Sequence, residues 1–248
     1  MGRGDVSDPI GLLSIRQPPT GYRFSIDSVL LAGFAARFCR GGVLDLGTGC
    51  GVLLLLLSRL SVGMTLGVGV ELQEELFECA CDNFSNNALE SDLKAFHGDF
   101  REMPPDIIPG SFSLVVSNPP YVRAGHGRPN PDMGKEAARS EIHSTLEDLF
   151  SAASRFMSPT GRFALILPFD RFRDIEACCR RERMSIKVVR LVCPREGTPP
   201  SRILCCLSKE KCGATEELAP LIIHGDKDKY SPEVESICRL FRSGVQLY

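Results

Sequence analysis

The chain has 248 residues, 43% of them hydrophobic and 24% charged, with a formal net charge of −2. That composition excludes a disordered or collagen-like chain, and the length allows about 70–75% of the unfolded surface to be buried without a disulfide or metal staple. The near-neutral total says nothing about partners until its distribution is followed along the chain.

The opening MGRGDVSDPIG carries no apolar run of the secretory kind. The first predicted element is a helix over Ser25–Phe38, with Ser25 or Asp27 as N-cap and an apolar face of Ile26, Val29, Leu30, Phe34 and Phe38. Seven β-rich runs follow: Val43–Leu46, Leu66–Glu71, Leu93–His97, Phe112–Ser117, Arg162–Leu167, Lys187–Cys193 and Arg202–Ser208. Helix-patterned stretches at Val52–Leu60, Gln73–Asn86, Glu141–Met157 and Asp170–Glu182 alternate with them, and only Gly98–Ser111 lacks a helix pattern. Val52–Leu60 is apolar but too short, and too interrupted by Ser58 and Arg59, to cross a bilayer. Strands alternating with helices imply an α/β fold with a largely parallel sheet and helices on both faces. Between Cys193 and Arg202 lie only the eight residues PREGTPPS. A parallel crossover needs about a dozen residues or more, so the seventh strand should run antiparallel to the sixth.

Beyond that hairpin, Leu221–His224 predicts a short strand, Gly225–Lys229 a polar turn, and Ser231 the cap of a final helix to about Arg242. No repeat or flexible linker interrupts the pattern. The reading is one domain over residues 1–248, with an N-terminal segment 1–42, a core 43–208 and a strand–helix extension 209–248.

The eleven cysteines form no C-x-x-C pair, and the four histidines show no ligand spacing. Reduced thiols packed as small hydrophobes, no metal and a soluble, cytoplasmic protein are the expectation. Charge is uneven. Leu60–Gly110 holds ten acidic residues against two basic, whereas Arg171–Arg202 holds nine basic against four acidic. Val122–Arg139 adds Arg123, Arg128, Lys135 and Arg139 against two acids. The basic second half reads either as solvated helix faces or as a surface for a polyanion, with Arg195 and Arg202 flanking the Pro-rich hairpin.

The first motif is Val43-Leu-Asp45-Leu-Gly47-Thr-Gly49-Cys-Gly51, which ends a strand and opens a helix. Glycines there permit a tight turn and close approach of a ligand. A dinucleotide fingerprint would need Gly or Ala where Val52 stands, and a P-loop would need Gly-Lys-Ser/Thr. What remains is D-x-G-x-G-x-G, the turn seen around S-adenosylmethionine. Glu71, twenty residues after Gly51, falls where a carboxylate can accept from both ribose hydroxyls, and Asp99 where an adenine amino group would lie. Alternatively, Glu71 caps a helix and Asp99 is a turn residue.

The decisive motif is Ser117-Asn118-Pro119-Pro120-Tyr121, directly after the fourth run. An amine conjugated to an aromatic ring or carbonyl is a poor nucleophile. Accepting both of its hydrogens, through the Asn118 side-chain oxygen and the Pro119 carbonyl, aims the lone pair and stabilises positive charge developing on nitrogen. Pro119 and Pro120 fix the backbone, and Tyr121 offers a face on which a flipped base could stack.

At these residues the sequence resembles class I S-adenosylmethionine-dependent methyltransferases of the NPPY, amino-methylating kind. The antiparallel terminal hairpin agrees with their seven-stranded, Rossmann-like sheet, mostly parallel with an antiparallel last strand. Three longer stretches, Gln17–Ala32, Asn118–Glu141 and LIIHGDKDKYSPEVESICRLF near the C-terminus, resemble the bacterial tRNA1(Val) (adenine-37-N6)-methyltransferase family. The resemblance implies S-adenosyl-L-methionine held by Asp45, Gly47, Gly49, Gly51, Glu71, Asp99 and Asn118, with Phe24 and Asp27 over its methionine end. It implies catalysis at Asn118, Pro119, Pro120 and Tyr121. Arg123, Arg128, Lys135 and Arg139 follow that tetrapeptide directly, and their charge and position make them the expected contacts to a tRNA substrate. The chain departs from the family at Ser140, where the family often has histidine, and at Pro129 in the basic loop.

The reading is methyl transfer to adenine N6 in RNA, most directly tRNA. Its rivals are glutamine methylation in a protein, guanine-N2 or DNA-adenine methylation, and a non-catalytic RNA-binding module. The glutamine enzymes carry a helical domain ahead of the glycine turn, whereas the 42 residues before Val43 match the other signature.

Overall fold

A computed structural model describes residues 6–10, 13–18, 24–103, 105–108, 110–120, 145–211, 213–225 and 229–243. A hairpin of β1 (Val6–Ile10) and β2 (Leu13–Gln17) precedes α1 (Ile26–Ala35). The main run is β3 (Gly41–Leu46), α2 (Val52–Leu60), β4 (Met64–Glu71), α3 (Glu74–Asn86), β5 (Leu93–His97) and β6 (Phe112–Ser117). It continues with α4 (Leu146–Phe156), β7 (Met157–Pro168), α5 (Phe172–Glu182), β8 (Ser185–Cys193), β9 (Arg202–Ser208), β10 (Glu216–Ile222) and α6 (Pro232–Ser243).

The sheet order is β10-β8-β9-β7-β6-β3-β4-β5. β9 inserts between β7 and β8 and is antiparallel to both, as the short Pro-rich link requires; the other pairs are parallel. The sheet therefore has eight strands where seven are expected. The eighth is β10, which starts five residues before the expected Leu221 and pairs with β8. Its exposed Glu216 and Glu217, and the central Pro220, break the alternation that marks a strand. The β1–β2 hairpin has no counterpart in the sequence reading; its first strand carries Asp8 and Pro9, residue types depleted from strands. The expected helix Glu141–Met157 begins at Leu146 behind a capping box of Thr145 and Asp148; residues 141–144 lie outside the described residues.

Alternation along the central strands feeds two cores. Val43, Leu114, Val116, Ala164, Ile166, Leu204 and Cys206 face α1, α2 and α3. Leu44, Leu46, Val115, Phe163, Leu165, Ile203 and Cys205 face α4 and α5. Helix α2 is buried nearly all round, with seven apolar side chains inside, each worth about 1.5–3 kcal/mol of transfer free energy. It anchors the glycine turn from which it springs. Of the described cysteines all are free thiols and most are buried; Cys212 lies outside the described residues. No described helix is long and apolar enough to cross a membrane.

Candidate functional site: the carboxyl edge of the sheet

The parallel strands β5, β4, β3 and β6 are adjacent, and each ends in a predicted site residue: Asp99, Glu71, the Gly47–Gly51 turn and Asn118. Strand spacing of about 4.8 Å lays these ends over roughly 14 Å. The turn follows from its glycines, with φ of +76° at Gly47, +57° at Gly49 and +78° at Gly51. A Cβ on Gly51 would come within 2.6 Å of the Phe84 ring, whereas one on Gly47 would meet nothing within 4 Å. Gly51 is thus required by packing as well as by conformation, and Gly47 borders open space.

Two buried carboxylates stand behind this turn. Glu71 accepts from the backbone N–H of Gly49 at 2.8 Å and of Gln73 at 2.9 Å, one on each oxygen. Asp45 accepts from the Thr48 hydroxyl at 2.7 Å through Oδ2, while Oδ1 is buried with no hydrogen-bond partner among the described residues. Burial pushes the Asp45 carboxyl up to about 7; the Thr48 bond opposes this and the nearby Glu71 charge adds to it. Burial also raises Glu71, against the backbone N–H bonds that favour its charged form. A buried acceptor without a partner, beside open space at Gly47, suits a polar or cationic ligand that completes it.

Asn118 closes the other side. It lines one pocket with Ser28, Asp45, Gly47, Thr48 and Cys50. Its Nδ2 donates to the Ser28 hydroxyl at 3.0 Å. Pro119 is half-buried and Pro120 exposed beside it. Tyr121, Arg123, Arg128, Lys135 and Arg139 lie outside the described residues.

Other predicted residues sit differently from expectation. Asp27 is buried and accepts from Arg202 Nε at 3.2 Å. Arg202 also donates to the Ser201 carbonyl, so it is an internal clamp between α1 and β9. At least five of the nine basic residues in Arg171–Arg202 are in ion pairs with described residues: Arg171, Arg181, Lys187, Arg190 and Arg202. Three of these pairs reach acids outside the stretch, Lys187 to Glu210, Arg190 to Glu233 and Arg202 to Asp27, and so offset part of its basic excess within the fold. Asp99 is held by Arg101, whose Nε lies 2.9 and 3.0 Å from its two oxygens. Phe24 is half-buried, its backbone N–H held by the Gln17 side chain at 2.9 Å.

Three supporting residues carry no sequence signal of their own. Ser28 reads only as a helix position. Asn83 of α3 is fully buried; its Nδ2 donates to the carbonyls of Arg16 and Cys50, and its Oδ1 accepts from the Arg16 N–H. It thereby ties β2 to the glycine turn. Gln17 reads only as the first residue of the Gln17–Ala32 stretch, with no role of its own. Ser28 and Asn83 act through partners 33 to 90 residues away along the chain, which no spacing rule reports, whereas Gln17 reaches Phe24 seven residues on.

The family model described as the methyltransferase small domain matches residues 25–173, from the N-cap of α1 past the end of β7. A tRNA1(Val) (adenine(37)-N6)-methyltransferase from Porphyromonas gingivalis is 30% identical over 229 residues, covering 88% of each chain. The chain belongs to that methyltransferase family. The same-named protein of Flavobacterium johnsoniae is 28% identical over 236 residues, covering 92% of this methyltransferase and 95% of its own length. Among solved structures, one from Agrobacterium tumefaciens described as a predicted O-methyltransferase superposes with a TM-score of 0.68 at 22% identity, covering 90% of this chain and 98% of its own. A ribosomal protein L11 methylase from Lactobacillus delbrueckii gives 0.56 at 17% identity, covering 79% and 86%. These two likenesses bear on the fold alone, which is the class I methyltransferase sheet with one strand added.

Proposed function

We propose that this methyltransferase uses S-adenosyl-L-methionine to methylate the exocyclic N6 of an adenine in tRNA. The observation that carries the reading is the placement of the Asn118 amide in the same pocket as Asp45 and the Gly47 turn. Glu71, Asp45 and the turn would hold the cofactor, with Asp99 assigned to its adenine and Phe24 and Asp27 to its methionine end. When bound, the cofactor would supply an electrophilic methyl on a sulfonium, the electron pair of the broken methyl–sulfur bond staying on sulfur as a neutral thioether. The Asn118 side-chain oxygen and the Pro119 carbonyl accept the two amino hydrogens, orient the nitrogen lone pair and stabilise the charge that develops as nitrogen gains the methyl. The surplus amino proton then passes to water. Pro120 stiffens this segment, and Tyr121 is assigned the stacking face. The basic residues Arg123, Arg128, Lys135 and Arg139 are assigned to tRNA phosphates, which set affinity rather than sequence choice.

The test is incubation with labelled S-adenosylmethionine and separate pools of tRNA, rRNA, DNA and peptide-release factor, followed by nucleoside analysis. Label recovered from tRNA as N6-methyladenosine is the expected result. Label on guanine, on DNA or on a protein glutamine overturns the assignment.

A further inference from the structure

The amide of Asn118 has two ends of opposite character, and only one suits its task. An oxygen turned to an amino group accepts from it; an NH2 turned to the same group sets donor against donor. Rotation about the terminal side-chain bond exchanges the ends, and the bare torsion separates the two orientations weakly. Something outside the side chain must therefore fix the rotamer.

In this structure Nδ2 donates to the Ser28 Oγ at 3.0 Å, across 90 residues of sequence. The carbonyl end of the amide is thereby turned to the other side. Ser28 is buried at 2% exposure and lines the same pocket as Asp45 and Gly47. It sits in the first turn of α1, which is fixed twice over. The Ser25 hydroxyl caps the helix by accepting from the Asp27 N–H, and Asp27 is clamped to Arg202 on β9. The hydroxyl is thus presented from a rigid element rather than from a loop, which is what a support for a reacting group requires.

We propose that Ser28 is a positioning residue: its hydroxyl accepts from Asn118 Nδ2 and so holds the Asn118 carbonyl oxygen toward the target amino group. The inference rests on the role assigned to Asn118 above. It predicts that Ser28→Ala lowers kcat about 5- to 10-fold, because the amide then samples the unproductive orientation. KM for tRNA and the Kd for S-adenosylmethionine should stay within about twofold.

The experiment is steady-state and single-turnover methylation of tRNA by wild type, Ser28→Ala, Ser28→Thr, Asn118→Ala and the Ser28→Ala/Asn118→Ala double variant, with calorimetry for the cofactor. Ser28→Thr keeps the hydroxyl and should recover most of kcat. In the Asn118→Ala background Ser28→Ala should cost nothing further, since the group it positions is gone. An unchanged kcat in Ser28→Ala, a loss that adds fully to that of Asn118→Ala, or a matching loss of cofactor affinity each overturns the proposal. Should Ser28→Ala fail to fold, Ser28→Cys replaces it. The Cys side chain has similar shape but a weak acceptor, so a Cys variant as fast as wild type also overturns the proposal. Failure of the tRNA reading is separately visible: wild type itself would then label no tRNA.

Discussion

The two flanks of the pocket are built on different principles. At the ends of β3 and β4 the carboxylates are held by near neighbours: Thr48 reaches Asp45 three residues back, Gln73 reaches Glu71 two back, and Gly49 reaches Glu71 across 22. At the end of β6, Asn118 depends on Ser28, 90 residues away, and the adjacent Asp27 on Arg202, 175 away. The first flank is a property of two short loops. The second exists only once the whole sheet has closed. Cofactor binding and catalysis should therefore fail separately, and the two flanks should respond to different substitutions.

The largest expected effect tests the β6 flank. Asn118→Ala should lower turnover on tRNA about 10²-fold or more, since the lost acceptor matters most as charge develops on nitrogen. Calorimetry on the same variant should find cofactor affinity nearly unchanged. Turnover close to wild type would remove the amino-group mechanism from this site. The β4 flank should behave in the opposite way: Glu71→Ala should weaken S-adenosylmethionine binding by about 1–3 kcal/mol. It also strips the Gly49 N–H of its acceptor, so the variant's fold must be checked by melting. A folded variant with wild-type affinity would leave the β4 carboxylate a purely structural helix-start group.

The smallest effect is a pH trend confined to Asp45. Its folded value of about 7 lies above that of an exposed aspartate, so between about pH 4 and 7 the folded chain holds a proton that the unfolded chain has released. The stability of the ligand-free protein should accordingly fall as pH rises through that window, by a few degrees of melting midpoint. The upward shift of Glu71 acts in the same direction. Asp45→Asn should flatten the trend. Equal slopes for wild type and variant across pH 5–8 would mean that Asp45 is ionised in the fold throughout.

Legibility in the sequence divides along the same line. The glycine turn, Glu71 and the Asn118-Pro119-Pro120 segment could be read because their residue types sit at fixed distances from strand ends. The antiparallel β9 could be read because eight residues leave no room for a crossover helix. Ser28 and Arg202 could not, since a serine inside a helix and an arginine in a basic stretch are each ordinary until the sheet order brings them to their partners. The basic stretch shows the converse error: counting its charges registers Lys187, Arg190 and Arg202, but not Glu210, Glu233 and Asp27, which lie outside the stretch and opposite them in the fold. The start of strand β10 at Glu216 is hidden in the sequence because its alternation is broken by the residues that suit it to an outer position.

That outer position affects how the molecule behaves among its own copies. A mixed sheet has two rims, each a row of amide groups able to recruit a foreign strand. On one rim, β10 carries Glu216 and Glu217 at its start, a register shift between Leu218 and Leu221, and at Pro220 a residue with no N–H to offer. On the other, β5 is only five residues long and bears the exposed Lys94 at its second position. Neither rim presents a long, flat, apolar template, so concentrated protein should resist edge-to-edge aggregation. Replacing Pro220 and the two glutamates with β-branched residues would remove that protection at the β10 rim.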